Sequence, residues 1–246
     1  TWGLCHGVTH NVLAKIQNKI VMAPCFSKLG FIEYDCISQT FTKHTPPREF
    51  WRLAAQRDNV SAFAQAVVYK QSAFFIGNYQ GIIVEYNEQE GRYRYHTNWA
   101  SPLLETLTVT DLHFRSYGSF LQGNRLYLPV EEKAVLIALN LDTMEAELLN
   151  LPFSDRVSYI TRDKHDFLLL SALDHTLIRW NQETGEFRRI ELPVGRSGED
   201  VVCGCVSWGQ RVDIFPSVGY VSPMCVQENR AEVWRESEPF WGKEGA

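Results

Sequence analysis

One phrase in this chain returns, and its return restricts the fold more than any other feature. Phe31-Ile32-Glu33-Tyr34-Asp35 leads through a short polar stretch into Ser38-Gln39-Thr40-Phe41, and Ile83-Val84-Glu85-Tyr86-Asn87 leads likewise into Glu90-Gly91-Arg92-Tyr93. The phrase recurs as Leu136-Ile137-Ala138-Leu139-Asn140 with Asp142-Thr143-Met144-Glu145, and as Leu177-Ile178-Arg179-Trp180-Asn181 with Glu183-Thr184-Gly185-Glu186. The acid or amide at 35, 87, 140 and 181 can bond its own backbone to begin a turn, so each phrase reads as strand, tight turn, strand. A weaker fifth copy runs through Cys225-Val226-Gln227 and Glu228-Asn229 into Ala231-Glu232-Val233-Trp234.

A second strand pair precedes each copy. In the third it is Ser119-Phe120-Leu121, a Gly123-Asn124 turn and Leu126-Tyr127-Leu128-Pro129, where the Gly/Asn dipeptide between apolar runs signals a hairpin. The others are Val12–Lys15 with Ile20–Ala23, Ala66–Tyr69 with Phe74–Ile76, Val157–Ile160 with Phe167–Leu169, and Val201–Val206 with Val212–Phe215. Four short antiparallel strands in a repeat predict an all-β β-propeller, because one such sheet cannot cover its own faces and stacked neighbours do. The expected blades are 10–46, 61–98, 118–152, 156–193 and 200–236, in one domain spanning 1–246, with insertions at 47–60 and 99–117.

Through phrases such as Gly123-Asn124-Arg125-Leu126-Tyr127 and Trp180-Asn181 to Thr184-Gly185, residues 10 to 236 resemble the kelch-like branch of the β-propeller superfamily. The double glycine before the second strand and the Trp-Asp pair of WD repeats are both missing. The resemblance implies six or seven blades where five are visible, so the chain is either a five-bladed ring or part of a larger one. Thr1–Thr9 and Ser237–Ala246, with Trp2, Phe240 and Trp241, are candidates for ring closure.

Function is less legible. The 246 residues are 45% apolar and 22% charged, which is ordinary for a folded protein, and the net charge of −5 is dispersed. That balance argues against a general nucleic-acid binder, and no apolar run reaches the length of a membrane span. The six cysteines, at 5, 25, 36, 203, 205 and 225, read as buried thiols, and Cys203, Cys205 and Cys225 lack a fourth ligand for zinc. No Gly-x-Ser-x-Gly elbow, His-x-His pair or Gly-rich phosphate loop occurs, so no cofactor, metal or catalytic residue is assigned. A glycosidase would need two carboxylates at the channel mouth, yet the inner strands of the first three copies hold none. Carboxylates enter only at Asp155, Asp163, Glu199 and Asp200.

The interruptions of the repeat carry the functional expectation. His44–Val60 includes a short helix beginning near Pro47, and Asn98–Gly118 carries Trp99, Asp111, His113 and Arg115. Links between blades open on the same face as the loop between a blade's second and third strands, so both insertions should crowd one rim. Trp51, Arg52, Trp99, His113, Arg115 and Arg156 are therefore the candidate binding residues of a non-enzymatic scaffold for a protein, peptide or glycan. The tryptophans serve equally well as covers for the blade tops. The competing reading is an enzyme acting on a glycan or peptide at the channel mouth, near His10, Ser61, Arg115, Arg156 and Asp200.

Overall fold

The computed structural model describes residues 10–24, 30–48, 63–78, 81–108, 111–114, 118–130, 133–163, 165–171, 175–193, 202–208, 211–216, 224–227 and 230–233. It contains five four-stranded antiparallel sheets, each a meander in chain order. Blade 1 is β1 (His10–Ile16), β2 (Lys19–Pro24), β3 (Phe31–Asp35) and β4 (Thr40–His44). Blade 2 is β5 (Phe63–Tyr69), β6 (Ser72–Gly77), β7 (Ile83–Asn87) and β8 (Arg92–His96). Blade 3 is β9 (Phe120–Gln122), β10 (Arg125–Pro129), β11 (Val135–Asn140) and β12 (Ala146–Asn150). Blade 4 is β13 (Tyr159–Arg162), β14 (Phe167–Ser171), β15 (Thr176–Trp180) and β16 (Phe187–Glu191). Blade 5 is β17 (Val202–Trp208), β18 (Arg211–Pro216), β19 (Met224–Gln227) and β20 (Arg230–Val233).

The recurring acid or amide does what its chemistry allows. Asp35 Oδ1 accepts the backbone N–H groups of Ile37 and Ser38, Asn87 that of Glu90, Asn140 that of Asp142, and Asn181 those of Glu183 and Thr184. Four residues further on, Gln39, Gly91, Met144 and Gly185 all adopt positive φ, between 48° and 76° with the other such residues of the chain. Glycine meets that demand at two of the four positions, and Gln39 and Met144 carry its steric cost. A backbone bond then ties this turn to the first hairpin turn of the same blade: Cys36 N–H to Asn18 O (2.7 Å), Glu88 to Gln71 (2.9 Å) and Leu141 to Asn124 (2.8 Å). A bulge recurs near the start of the first strand in blades 1, 2 and 5. The strand expected from Val157 begins at Tyr159, although Ser158 N–H still bonds Leu170 O at 2.9 Å.

Strand alternation distributes the cores between neighbouring sheets. In β6, Ala73 and Phe75 face blade 1 and join Val12, Ala14, Val21 and Phe31, whereas Phe74 and Ile76 face blade 3 and join Leu126, Leu128, Ile137 and Leu139. This two-sided burial explains why β6 reads as a continuous apolar run. Blades 1 to 3 make one compact unit and blades 4 and 5 another. Within the second unit, Leu168, Leu170 and Leu177 of blade 4 pack on Val212, Ile214, Met224 and Val226 of blade 5. Arg48, directly after Pro47, is helical; the rest of the expected helix and the expected closing segments lie outside the described residues.

Candidate functional site

The insertion after blade 2 is anchored rather than loose. A 3₁₀ turn over Ser101–Glu105, with Pro102 in its first turn, lies against β12 and buries Leu103. Leu107, Leu112 and Phe114 continue that apolar surface into the core between blades 2 and 3. Trp99 is only 6% exposed, and its indole N–H donates to Gly81 O in the loop joining β6 to β7. Phe114 N–H donates to Asn78 O of the same loop at 3.1 Å. Gly81 has φ +59°, and a Cβ there would lie 2.9 Å from Leu112 and 3.3 Å from Ala100. Only glycine combines that conformation with so close an approach. The insertion thus sits on the loop between the second and third strands of blade 2, the side on which it was expected.

The six candidate residues fare differently. Trp99 is part of the core and offers no ring to a partner, because its N–H needs Gly81 and its faces need the surrounding aliphatics. His113 is half-buried and Arg156 is exposed, each engaged by a neighbour. Trp51, Arg52 and Arg115 lie outside the described residues. Among the described residues of this insertion, Leu104 is an exposed large apolar side chain, at 41%.

Two polar clusters that the sequence reading did not single out flank blade 2. On the blade 1 side, Lys19 Nζ lies 2.9 Å from Tyr86 Oη and 3.3 Å from Glu33 Oε2, to which Tyr86 also donates at 3.0 Å. The Tyr86 bond, opposed by burial, raises the Lys19 pKa. Burial is the main cause raising Tyr86 and Tyr93. Tyr93 Oη is buried without a partner in hydrogen-bonding geometry, although it faces Glu33. His44 stacks on Tyr93 with centroids 4.0 Å apart, and its Nε2 meets Tyr95 Oη at 2.5 Å.

On the opposite face, Glu85 is 7% exposed. His96 Nε2 lies 3.0 Å from its Oε2, Ser72 donates to its Oε1 at 2.7 Å, and Arg94 stands 3.5 Å away. The His96 bond, helped by Ser72 and Arg94 against the cost of burial, holds Glu85 below the usual carboxylate range. Glu33 and Glu85 occupy one repeat position and His44 and His96 another, so aligning the copies would have exposed both pairs.

Blade 4 places Arg179 at that same repeat position. It pairs with Asp163 at 2.6 Å beside a shallow groove of about 630 Å³ lined by Asp166, Asn181, Phe187 and Arg188 among others. Asp155 is held by Arg189, whose Nη2 lies 2.7 Å from its Oδ2. Burial pushes the Cys205 thiol up to about 12, which makes it a poor nucleophile. Among the described residues, no three His, Cys, Asp or Glu groups gather in a metal-binding cluster, and no helix is long and apolar enough to cross a membrane.

No protein-family model matches the chain, and no curated protein matches it in sequence. Solved structures do match it. Virginiamycin B lyase from Staphylococcus aureus superposes with a TM-score of 0.64 at 11% identity, over 94% of this chain and 71% of the lyase. The extracellular domain of a putative one-component system from B. thetaiotaomicron gives 0.60 at 18% identity, over 92% of this chain and 28% of that one. U3-55K gives 0.56 at 12% identity, over 92% and 64%. At these identities the likeness is one of fold, and with the five four-stranded sheets it makes this chain a β-propeller.

Proposed function

We propose that residues 1–246 form a single, kelch-like propeller domain that acts as a non-enzymatic recognition scaffold. It binds a protein, peptide or glycan through the face bearing the two long insertions. The observation carrying this reading is the anchoring of the second insertion by Trp99, Gly81, Leu112 and Phe114, which presents a preformed surface with little ordering cost on binding. Propeller neighbours include a lyase and the extracellular domain of a putative one-component system, so the fold by itself does not decide between catalysis and recognition. Recognition is favoured here because Asp155 and Asp163, the described carboxylates flanking the fourth inner strand, are each engaged by an arginine.

In this reading Trp51, Arg52, His113, Arg115 and Arg156 contact the partner, and Trp99 supports them from below. The test compares the intact chain with a Trp51→Ala, Arg52→Ala, His113→Ala, Arg115→Ala variant on glycan and peptide arrays and in affinity capture. Ligands retained by the intact chain should be lost by the variant while its circular dichroism is unchanged. Equal retention by both rejects this surface.

A further inference from the structure

Blade 4 reverses charges that blade 2 keeps. On β7 and β8, Glu85 lies directly across from Arg94, and their side chains stand 3.5 Å apart. On β15 and β16 the same two places are Arg179 and Arg188, again directly opposite. Opposed side chains share one face of a sheet, where two like charges oppose folding unless something offsets them. The place of Arg92, across from Asn87 in blade 2, is taken by Glu186, whose carbonyl accepts the Asn181 N–H at 2.9 Å.

Arg179 is offset on one edge only. Asp163 Oδ2 takes its Nη1 at 2.6 Å, and Asp163 Oδ1 accepts the backbone N–H groups of His165 and Asp166. The Nε–H of Arg179 is buried and has no acceptor. A guanidinium holds a carboxylate by two parallel bonds, and the edge formed by Nε and Nη2 is one that suits this. The Arg188 and Glu186 side chains are exposed, and neither has a charged partner among the described residues. Asp166 Oδ1 accepts the Asn181 side-chain amide at 3.0 Å, while its Oδ2 stays 3.8 Å from Arg179 Nη1, beyond hydrogen-bonding reach.

These groups line the one shallow groove of about 630 Å³ described above, with the Phe187 ring, 38% exposed, beside them. Donors without acceptors therefore share it with carboxylates without cations. We propose that this groove binds a free α-amino acid. The ligand's carboxylate lies between the Nε edge of Arg179 and Arg188, the place that Glu85 fills opposite Arg94 in blade 2. Its ammonium meets Glu186 and Asp166, and an apolar side chain rests on Phe187.

The charge pattern selects this ligand class. A dianion such as phosphate would meet Asp163, Asp166 and Glu186 along with the two arginines, so it gains little. A neutral ligand would leave Arg188 and Glu186 unmatched. A zwitterion satisfies both signs from groups on a single carbon. The groove shares no residue with the insertion-bearing surface, so this site binds its ligand whether or not that surface has a partner.

The experiment presents the twenty common L-α-amino acids one at a time to the full chain. Saturation-transfer NMR at about 10 mM ligand reaches past the millimolar affinity of a weak specific site. At least one should bind, and its N-acetyl and carboxamide derivatives, which each lack one charge, should bind about ten-fold more weakly or not at all. Arg188→Ala and Glu186→Gln should each weaken the parent ligand about ten-fold, with thermal melting unchanged because both side chains are exposed. Arg188→Lys, which keeps the charge but not the planar fork, should recover part of the loss.

No binding by any of the twenty overturns the proposal. So does binding that survives both Arg188→Ala and Glu186→Gln, which would put the ligand elsewhere. Equal binding of the N-acetyl derivative would make this a simple carboxylate site and would overturn it as well.

Discussion

The gaps on the two sides of blade 2 are filled in different ways. Towards blade 1 the space is taken by large side chains from the sheets themselves: Phe31, Phe63 and Phe75 meet edge to face, and Tyr86, Tyr93 and His44 extend the cluster outward. Towards blade 3 the strands still contribute Phe74, Ile76 and Ile83, but β7 and β8 also place Glu85, Arg94 and His96 on that side, and much of the apolar filling comes from the inserted Trp99, Leu103, Leu107, Leu112 and Phe114. One sheet thus shows two solutions to the same packing requirement. A gap filled by the strands' own side chains is closed to further use, whereas a gap filled by an insertion gains a surface that can vary without disturbing the strands.

The sharpest challenge to this contrast is to remove the anchor on one side. Trp99→Ala should destabilise the blade 1–3 unit by about 3–5 kcal/mol, the usual loss for a buried tryptophan. Urea unfolding followed by fluorescence would measure it. A loss below about 1 kcal/mol would mean that the insertion is not part of the core. Gly81→Ala acts on the same joint through φ +59° and the approach of Leu112, and should lose about 1–3 kcal/mol in the same assay.

On the other side, Tyr86→Phe removes the hydroxyl shared by Lys19 and Glu33 but preserves the ring packing. Its expected effect is smaller, about 1–2 kcal/mol, as for hydrogen bonds to charged partners. Coupling with Glu33→Gln in a double-mutant cycle would establish that the three groups act together.

Acid should separate the two gaps by pH. His44 is held below its ordinary value of 6.5 chiefly by burial, so the unfolded chain takes up this proton before the folded chain does. Its contribution is complete above that pH and declines as pH falls below it. Glu85 is also depressed, through His96 first, and its contribution is present above the ordinary carboxylate value of 4.5 and lost as pH falls through the lower folded value. Thermal unfolding across pH 3 to 8 should show both declines, with His44→Gln removing only the upper one. The smallest expected change is a gain: Met144→Gly and Gln39→Gly relieve positive φ, raising stability by about 0.5 kcal/mol each in urea titrations.

The strands were legible because their residues report local demands. Asp35, Asn87, Asn140 and Asn181 mark a turn whose hydrogen bonds close within three residues, and the apolar runs beside them alternate or saturate according to how many faces are covered. The Gly123-Asn124 turn was readable for the same reason. Trp99 was harder to place, since a tryptophan in an insertion is equally a binding anchor or a core plug. Its role depends on Gly81, 18 residues earlier, and no periodicity links the two. Glu33 meets Tyr86 across 53 residues and Lys19 meets it across 67, contacts set by blade stacking rather than by any local pattern. The kinship of Glu33 with Glu85 and of His44 with His96 was nonetheless present in the repeat.

The backbone bonds from Cys36, Glu88 and Leu141 to the first hairpin turns have a consequence for how this scaffold tolerates change. They fasten one end of blades 1, 2 and 3 by main chain alone, with no side chain required beyond those that shape the turns. Substitution there is cheap, but extra length is not, because lengthening either turn pulls a donor from its acceptor. At the opposite end, the link after blade 2 already holds a long insertion without breaking a strand. The blades therefore have a grammar: one end accepts new words in place of old ones, and the other accepts new sentences.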